Sequence, residues 1–310
     1  APMTIDLDST IVEVHGRGKQ GARYGYTKVL GYHPQLAVDA GTGQVLFARL
    51  RGGNAGATRG AASFLTETVS RVRHAGASGA LTVRADSAFS SRAVLGAANR
   101  LGVQFSVTIR QDRKVKAAID AIDEEAWTPI PYWLTTPETS GADVAETTYT
   151  CFAGTPQAMS VRLVVRRVRP TPGSQLALFT TWDHHAFVTD RTGDLVEVEA
   201  DHRRHAIVEQ TIAELKSAGL AHLPSGRFPA NAAWLALATL AHNLGRAVGI
   251  LTGGPLARAT AATLRHQLFT LPGRLVRSAR RLRLRLPAGW PWEPEFATAM
   301  TRIAAIPAPT

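Results

Sequence analysis

The run Ala80–Ala85 (ALTVRA) constrains the fold more than any other stretch of this chain. It is short and mainly apolar, and it stops at Asp86-Ser87. A helix-like segment, Ser91–Leu101, and a second strand-like run, Val103–Ile109, follow at once. A buried strand that leads into a helix and back into a strand is the pattern of an α/β sheet. In such sheets ligands gather beyond the carboxyl ends of the strands, which is where Asp86 falls. The same carboxylate has a second reading as a cap, because Asp and Ser both satisfy the free amides of a helix or its lead-in turn.

Segments upstream extend the sheet. Thr4–Val14 (TIDLDSTIVEV) alternates and is rich in β-branched residues, as a strand requires. Tyr26–Val38 and Gln44–Leu50 read as two more strands joined by a turn at Asp-Ala-Gly-Thr-Gly, and Ala55–Ala75 reads as a helix with Phe64, Leu65, Val69 and Val72 on one side. A three-strand meander followed by alternating helix and strand resembles the RNase H-like order. Asp6 and Asp8 point the same way along the first strand while Ile5 and Leu7 point the other, so periodicity does not choose between the acids. Two carboxylates on one face are costly to bury without a cation, which favours a metal; the alternative is an exposed edge strand with solvated acids.

From residue 114 to 175 the alternation of helix and strand stops. Trp127, Trp133, a polar loop near Pro137–Gly141 and strand-like runs at Glu146–Phe152 and Ser160–Val168 point to a β-rich insertion. Leu176–Thr181 and Phe187–Thr189 read as strands returning to the core, and Glu197–Ser217 as one late helix. The expected division is a core over 1–113 and 176–250, the insertion over 114–175, and a basic C-terminal region over 251–310, helical and Arg-rich. Glu209 and Lys216 lie two helical turns apart on one face of the late helix, joined there by His202 and His205. Glu197, Glu199 and Glu214 compete with Glu209. His184–His185 lack a metal-ligand spacing. Gly16–Gly21 (GRGKQG) lacks the full phosphate-loop pattern, although Lys19, Arg23 and Lys28 are placed to touch phosphates, and no nucleophile elbow is present.

The placement of charge is more telling than its sum. The chain has 35 Lys and Arg against 24 Asp and Glu, yet from Leu215 to Trp292 there is no acid and there are 11 of the basic residues. A one-sign segment of that length favours a polyanionic partner, phosphate backbones above all; a solvated helical surface is the alternative. Within it Arg274, Arg277 and Arg281 share a face if the segment is helical, whereas the Arg-Leu alternation at Arg281–Leu286 suits a strand. The single cysteine, Cys151, rules out an internal disulfide framework and fits a reducing compartment. Asn231–Leu251, the most apolar stretch, carries His242, Asn243 and Arg246 and reads as a core helix rather than a membrane span. The N-terminus has no leader pattern and opens almost directly into a strand, so upstream residues are expected to be missing.

Together, Asp6–Thr10 (DLDST), Gly25–Leu30 (GYTKVL), Arg84–Phe89 (RADSAF), Glu209–Lys216 and Ala221–Trp234 (AHLPSGRFPANAAW) make the chain similar to DDE transposases of insertion sequences. The resemblance is to the group related to the IS4 superfamily, most closely the IS1380 family, and it spans nearly the whole chain. It implies an α/β, RNase H-like core interrupted by a β-rich insertion, with Asp8, Asp86 and Glu209 as catalytic acids holding two Mg²⁺ or Mn²⁺ ions. It implies cleavage at transposon ends and strand transfer, with double-stranded DNA (terminal inverted repeats and target) as partner. A homodimer on DNA, no membrane, and a bacterial cytoplasm with nucleoid association are the matching expectations.

The wider group carries tyrosine, arginine, glutamate and lysine on its last helix. Glu209 and Lys216 match, while His202 and His205 stand at the tyrosine and arginine positions, with Arg203 and Arg204 beside them as substitute phosphate contacts. Trp182 falls roughly where relatives place a tryptophan that stacks on a displaced base; a core tryptophan is the other reading. The family's N-terminal DNA-recognition region has no counterpart ahead of Asp8. A transposase core, a non-catalytic DNA-binding remnant and an RNase H-like nuclease without strand transfer are therefore the forms to distinguish.

Overall fold

The computed structural model describes residues 1–132, 141–169 and 182–307. β1 (Met3–Ser9) is followed by a small antiparallel sheet of β2 (Val12–Glu13), β3 (Arg23–Tyr24) and β4 (Leu30–Tyr32), then by β5 (Gln35–Asp39) and β6 (Val45–Arg49). Next come α1 (Ala61–His74), β7 (Leu81–Ala85), α2 (Arg92–Arg100), β8 (Gln104–Thr108) and α3 (Arg113–Asp120). β9 (Thr128–Pro129), β10 (Ala142–Cys151), β11 (Met159–Val168) and β12 (Asp183–Thr189) complete a nine-stranded sheet ordered β6-β5-β1-β7-β8-β12-β11-β10-β9. β1 pairs antiparallel with β5 and parallel with β7, and β7 pairs parallel with β8. This is the expected mixed sheet of an RNase H-like core.

Local chemistry explains where strands stop. The run Tyr26–Val38 is split at His33-Pro34, because proline brings no amide hydrogen to a ladder. Thr4–Val14 is likewise two strands, broken after Ser9. The stretch expected as a β-rich insertion opens with α3, and its β10 and β11 continue the core sheet through β12, which bonds to β8. Trp133, most of the Pro137–Gly141 loop and Leu176–Thr181 lie outside the described residues.

The two faces of the sheet differ in chemistry. Ile5, Leu7, Val83, Ala85, Phe105 and Val107 pack with Phe64 and Leu65 of α1 and Val94 and Leu95 of α2. Alternation sends Asp6, Asp8, Thr82, Arg84, Ser106 and Thr108 to the opposite face. Two helices cover that side: α4 (Leu195–Arg203), over β10 and β11, and α5 (Ala206–Leu215), over β1 and β5. Among the described residues, the largest apolar cluster thus lies under α1 and α2, while under α4 and α5 buried polar groups of β1, β7 and β8 sit beside smaller apolar clusters that include Leu36, Val38, Val164 and Phe187.

Helix α6 (Phe228–Thr252) shields the edge strand β6. Asn243 accepts the Val45 amide at 2.7 Å and donates to the Val45 carbonyl at 2.8 Å, closing a stretch of edge that would otherwise be open to pairing. After α7 (Ala261–Leu264), β13 (Arg274–Ser278) and β14 (Arg281–Arg285) form a two-stranded ribbon, and α8 (Glu293–Ala304) follows. The helical alternative for Arg274–Arg281 is not what forms. The period-two alternation prevails, and Ala279 and Arg280 close the hairpin at φ 47° and 65°, the left-handed pair that two-residue turns prefer.

Candidate active site

Strand register brings two acids together. Leu7 of β1 lies opposite Ala85 of β7, so the next residues, Asp8 and Asp86, leave neighbouring parallel strands at one strand spacing, about 4.8 Å. Asp8 accepts the Ser9 amide at 2.6 Å. Asp86 accepts the Ala88 amide at 3.0 Å and caps the 3₁₀ turn Ser87–Phe89, while Ser91 caps α2. The cap occupies one oxygen of Asp86 and leaves the other.

Glu209 arrives from the first turn of α5. Val208, Thr211, Ile212 and Leu215 of that helix are buried, the apolar three against a cluster containing Leu36 and Val38, and Glu209 is exposed beside them. Burial pushes the Asp8 carboxyl up to about 6, and the charges of Asp86 and Glu209 push the same way, against the Ser9 amide and His205. Asp8 therefore lies within the field of both other acids. The backbone remains helical through Lys216, at φ −66° and ψ −35°, so the two-turn spacing to Glu209 is kept. Burial lowers the pKa of the Lys216 ammonium and Asp8 opposes that shift, which places the amine within the field of the same site.

Asp6 and Asp8, equivalent by periodicity, differ in their partners. Asp6 is fully buried and receives Arg84, its cross-strand neighbour, through two hydrogen bonds of 2.6 and 2.8 Å. Arg84 also donates to the Asp201 carbonyl and lies 3.6 Å from the Asp201 carboxylate. His205 Nδ1 stands 3.0 Å from Asp6, and since a carboxylate only accepts, that nitrogen carries the proton. Asp6 is thus neutralised by a structural ion pair, whereas Asp8 has no such cation beside it among the described residues. Neither Arg84 nor Asp201 was singled out from sequence; an arginine inside the apolar run 81–85 was the available signal, since a buried guanidinium demands an acid.

The single late helix expected over Glu197–Ser217 is two helices. The amides of Arg204 and His205 reach back only three residues, to Asp201 and His202, and this tight turn separates α4 from α5. His202 consequently does not share the Glu209 face. Its ring stacks on Phe187 at 3.9 Å, and its two nitrogens meet Ser106 Oγ at 2.8 Å and Thr108 Oγ1 at 3.1 Å. Burial drives its pKa to about 3, so it is neutral and both nitrogens are committed to those hydroxyls.

The remaining candidates divide by what they touch. Glu199 is buried between Arg166 at 2.8 Å and Arg203 at 2.9 Å, while Arg204 is exposed. Trp182 lies under Arg167 at 4.3 Å and Arg169 at 5.0 Å. It precedes β12, which enters antiparallel to β8 from the end of the sheet where Asp8 and Asp86 emerge. Lys19 is held by the carbonyls of Leu223 at 2.6 Å and Ser225 at 3.2 Å. Arg274 and Arg281 share one face of the ribbon; Arg277 is on the other.

This geometry, two acids on adjacent strand ends and a third on a covering helix, coincides with a family assignment. The family model for the transposase DDE domain, group 1, matches residues 1–308. The chain belongs to that family. DDE domains generally use divalent metal ions. The three carboxylates suit such an ion in charge and in donor type, hard oxygens that repel one another when alone. Among the described residues no three His, Cys, Asp or Glu side chains already stand close enough to hold a metal.

Among solved structures, a piggyBac transposase synaptic complex with hairpin DNA is 14% identical, with a TM-score of 0.44, covering 85% of this chain and 51% of that one. A crystal structure of Aa-Ago with externally bound siRNA is 10% identical, with a TM-score of 0.26, covering 66% and 25%. The DDE domain here therefore spans about half the length of the piggyBac chain. No curated protein matches it in sequence. Among the described residues no helix is long and apolar enough to cross a membrane.

Proposed function

We propose that this DDE domain is the catalytic part of an IS1380-type transposase, which cuts DNA at transposon ends and joins the freed end to target DNA. One observation carries the reading: strand register sets Asp8 beside Asp86, and there burial, with the charges of Asp86 and Glu209, raises the pKa of Asp8 to about 6 although His205 opposes the shift. Such acids would hold Mg²⁺ or Mn²⁺, which when bound lowers the pKa of an attacking oxygen and takes up charge on the leaving one. Asp86 would act through the oxygen its cap leaves free. Lys216, in the field of Asp8, would hold a non-bridging phosphate oxygen as a point charge.

Both reactions are in-line displacements at phosphorus. In the first, water attacks a phosphodiester at the transposon end, the bond from phosphorus to the 3′ oxygen breaks, and the proton released by water leaves the 3′ oxygen as a hydroxyl. In the second, that hydroxyl attacks a target phosphodiester and displaces its 3′ oxygen, which leaves as a hydroxyl with the proton the attacking group has lost. One site serves both because the bond made and the bond broken are of the same kind. On this reading the protein works as a homodimer on DNA, in a bacterial cytoplasm beside the nucleoid.

The test offers an intact transposon-end duplex, which reads cleavage, and a pre-nicked one, which reads joining, each with Mn²⁺, to the protein and to Glu209→Ala. Joining of the 3′ end to target DNA, lost in the variant, is the expected result. Cleavage without joining would identify a nuclease, and binding without cleavage in either protein would sink the catalytic reading.

A further inference from the structure

We propose that the ribbon β13–β14 is a DNA-reading element that lies in the major groove of B-form DNA with its arginine face inward. In an antiparallel pair, residues opposite each other share a face. Arg274 faces Arg285, Val276 faces Arg283, and Ser278 faces Arg281, so four arginines line one side. Leu275 faces Leu284 and Arg277 faces Leu282 on the other, where the three leucines are 63%, 63% and 67% exposed in that order. A ribbon exposed on both faces is not packed onto the body of the protein. It is free to enter a groove.

Charge identifies the occupant. Like charges directly opposite one another destabilise a strand pair, and Arg274 opposite Arg285 is such a pair. No acid lies between Leu215 and Trp292 to relieve it. Among the described residues none of these four arginines enters an ion pair. A polyanion supplies the missing charge. Shape narrows the choice: the major groove of B-DNA, about 12 Å wide, admits a two-stranded ribbon, and the minor groove, about 6 Å wide, does not. The deep, narrow major groove of duplex RNA excludes side chains. Five residues per strand span about 17 Å, roughly half a turn of DNA.

This inference rests on the reading of the protein as acting on DNA, and the experiment separates the two. Binding of the full chain to a mixed-sequence DNA duplex is measured across salt concentrations. It is compared with a variant carrying Arg274→Thr, Arg281→Thr, Arg283→Thr and Arg285→Thr, and with an opposite-face control carrying Leu275→Thr, Leu282→Thr and Leu284→Thr. The arginine variant is expected to shallow the slope of log affinity against log salt by about 3 to 4, about 0.9 for each phosphate no longer neutralised. The control should leave the slope unchanged. Methyl green, which fills the major groove, should displace the protein, and netropsin, a minor-groove ligand, should not. An unchanged slope in the arginine variant, an equal loss in the control, displacement by netropsin alone, or equal competition by duplex RNA each overturns the ribbon's role while leaving the active site untouched. A wild-type chain that binds no duplex at all overturns both.

Discussion

Replacing Asp8 by Asn should stabilise the protein while silencing it. The Asp8 carboxyl titrates in the folded chain near 6 instead of its ordinary 3.8, a shift of roughly two pKa units worth about 1.4 kcal/mol each. Partial solvent access trims that limit of about 3 kcal/mol to about 1–3 kcal/mol. The sign follows from the raised value: below pH 3.8 the acid is protonated in both states and costs nothing, the cost grows between 3.8 and about 6, and above 6 it is present in full. Asp8→Asn should therefore raise the unfolding free energy at pH 8, in chelator, and change it little at pH 4. Urea unfolding at the two pH values measures this. Asp6→Asn, two residues away, should act in the opposite direction and cost about 3–5 kcal/mol, because it strips a buried Arg84 of its carboxylate. A gain at pH 8 that persists undiminished at pH 4, or no gain at all, would refute a buried, destabilising charge at Asp8.

Three other outcomes follow from the same contacts. Mn²⁺ at a hundredfold excess over its dissociation constant should stabilise the wild-type protein by about 2.7 kcal/mol and leave Asp8→Asn unmoved in a thermal melt. Asn243→Leu should cost about 1–3 kcal/mol in urea, because both polar groups of Val45 lose their partner at the sheet edge. Ala279→Gly should strengthen the ribbon by about 1 kcal/mol by removing a side chain from a left-handed turn position, read as slower amide exchange in β13 and β14.

Local pattern alone was enough to read several elements and the chemistry they carry. The apolar run ending at Asp86 was legible as a buried strand with a carboxylate at its end, and the capping role that local chemistry offered Asp86 is also met, on the 3₁₀ turn that follows. Glu209 and Lys216 were legible as a pair because helical spacing is local; it survives in α5. What periodicity could not determine was which of Asp6 and Asp8 was spent on the fold, since both point the same way along β1. Only the parallel pairing of β1 with β7 decided it, by setting Arg84 against Asp6 and leaving Asp8 beside Asp86. Nor could spacing reveal that the late helix breaks at Arg204-His205, which turns His202 into a packed, neutral ring under Phe187. The ribbon repeats the lesson: alternation was visible, but which arginines share a face depends on a cross-strand register set by the turn at Ala279-Arg280. Local pattern specifies what each segment can form, and burial against distant segments specifies which of its charges remain free.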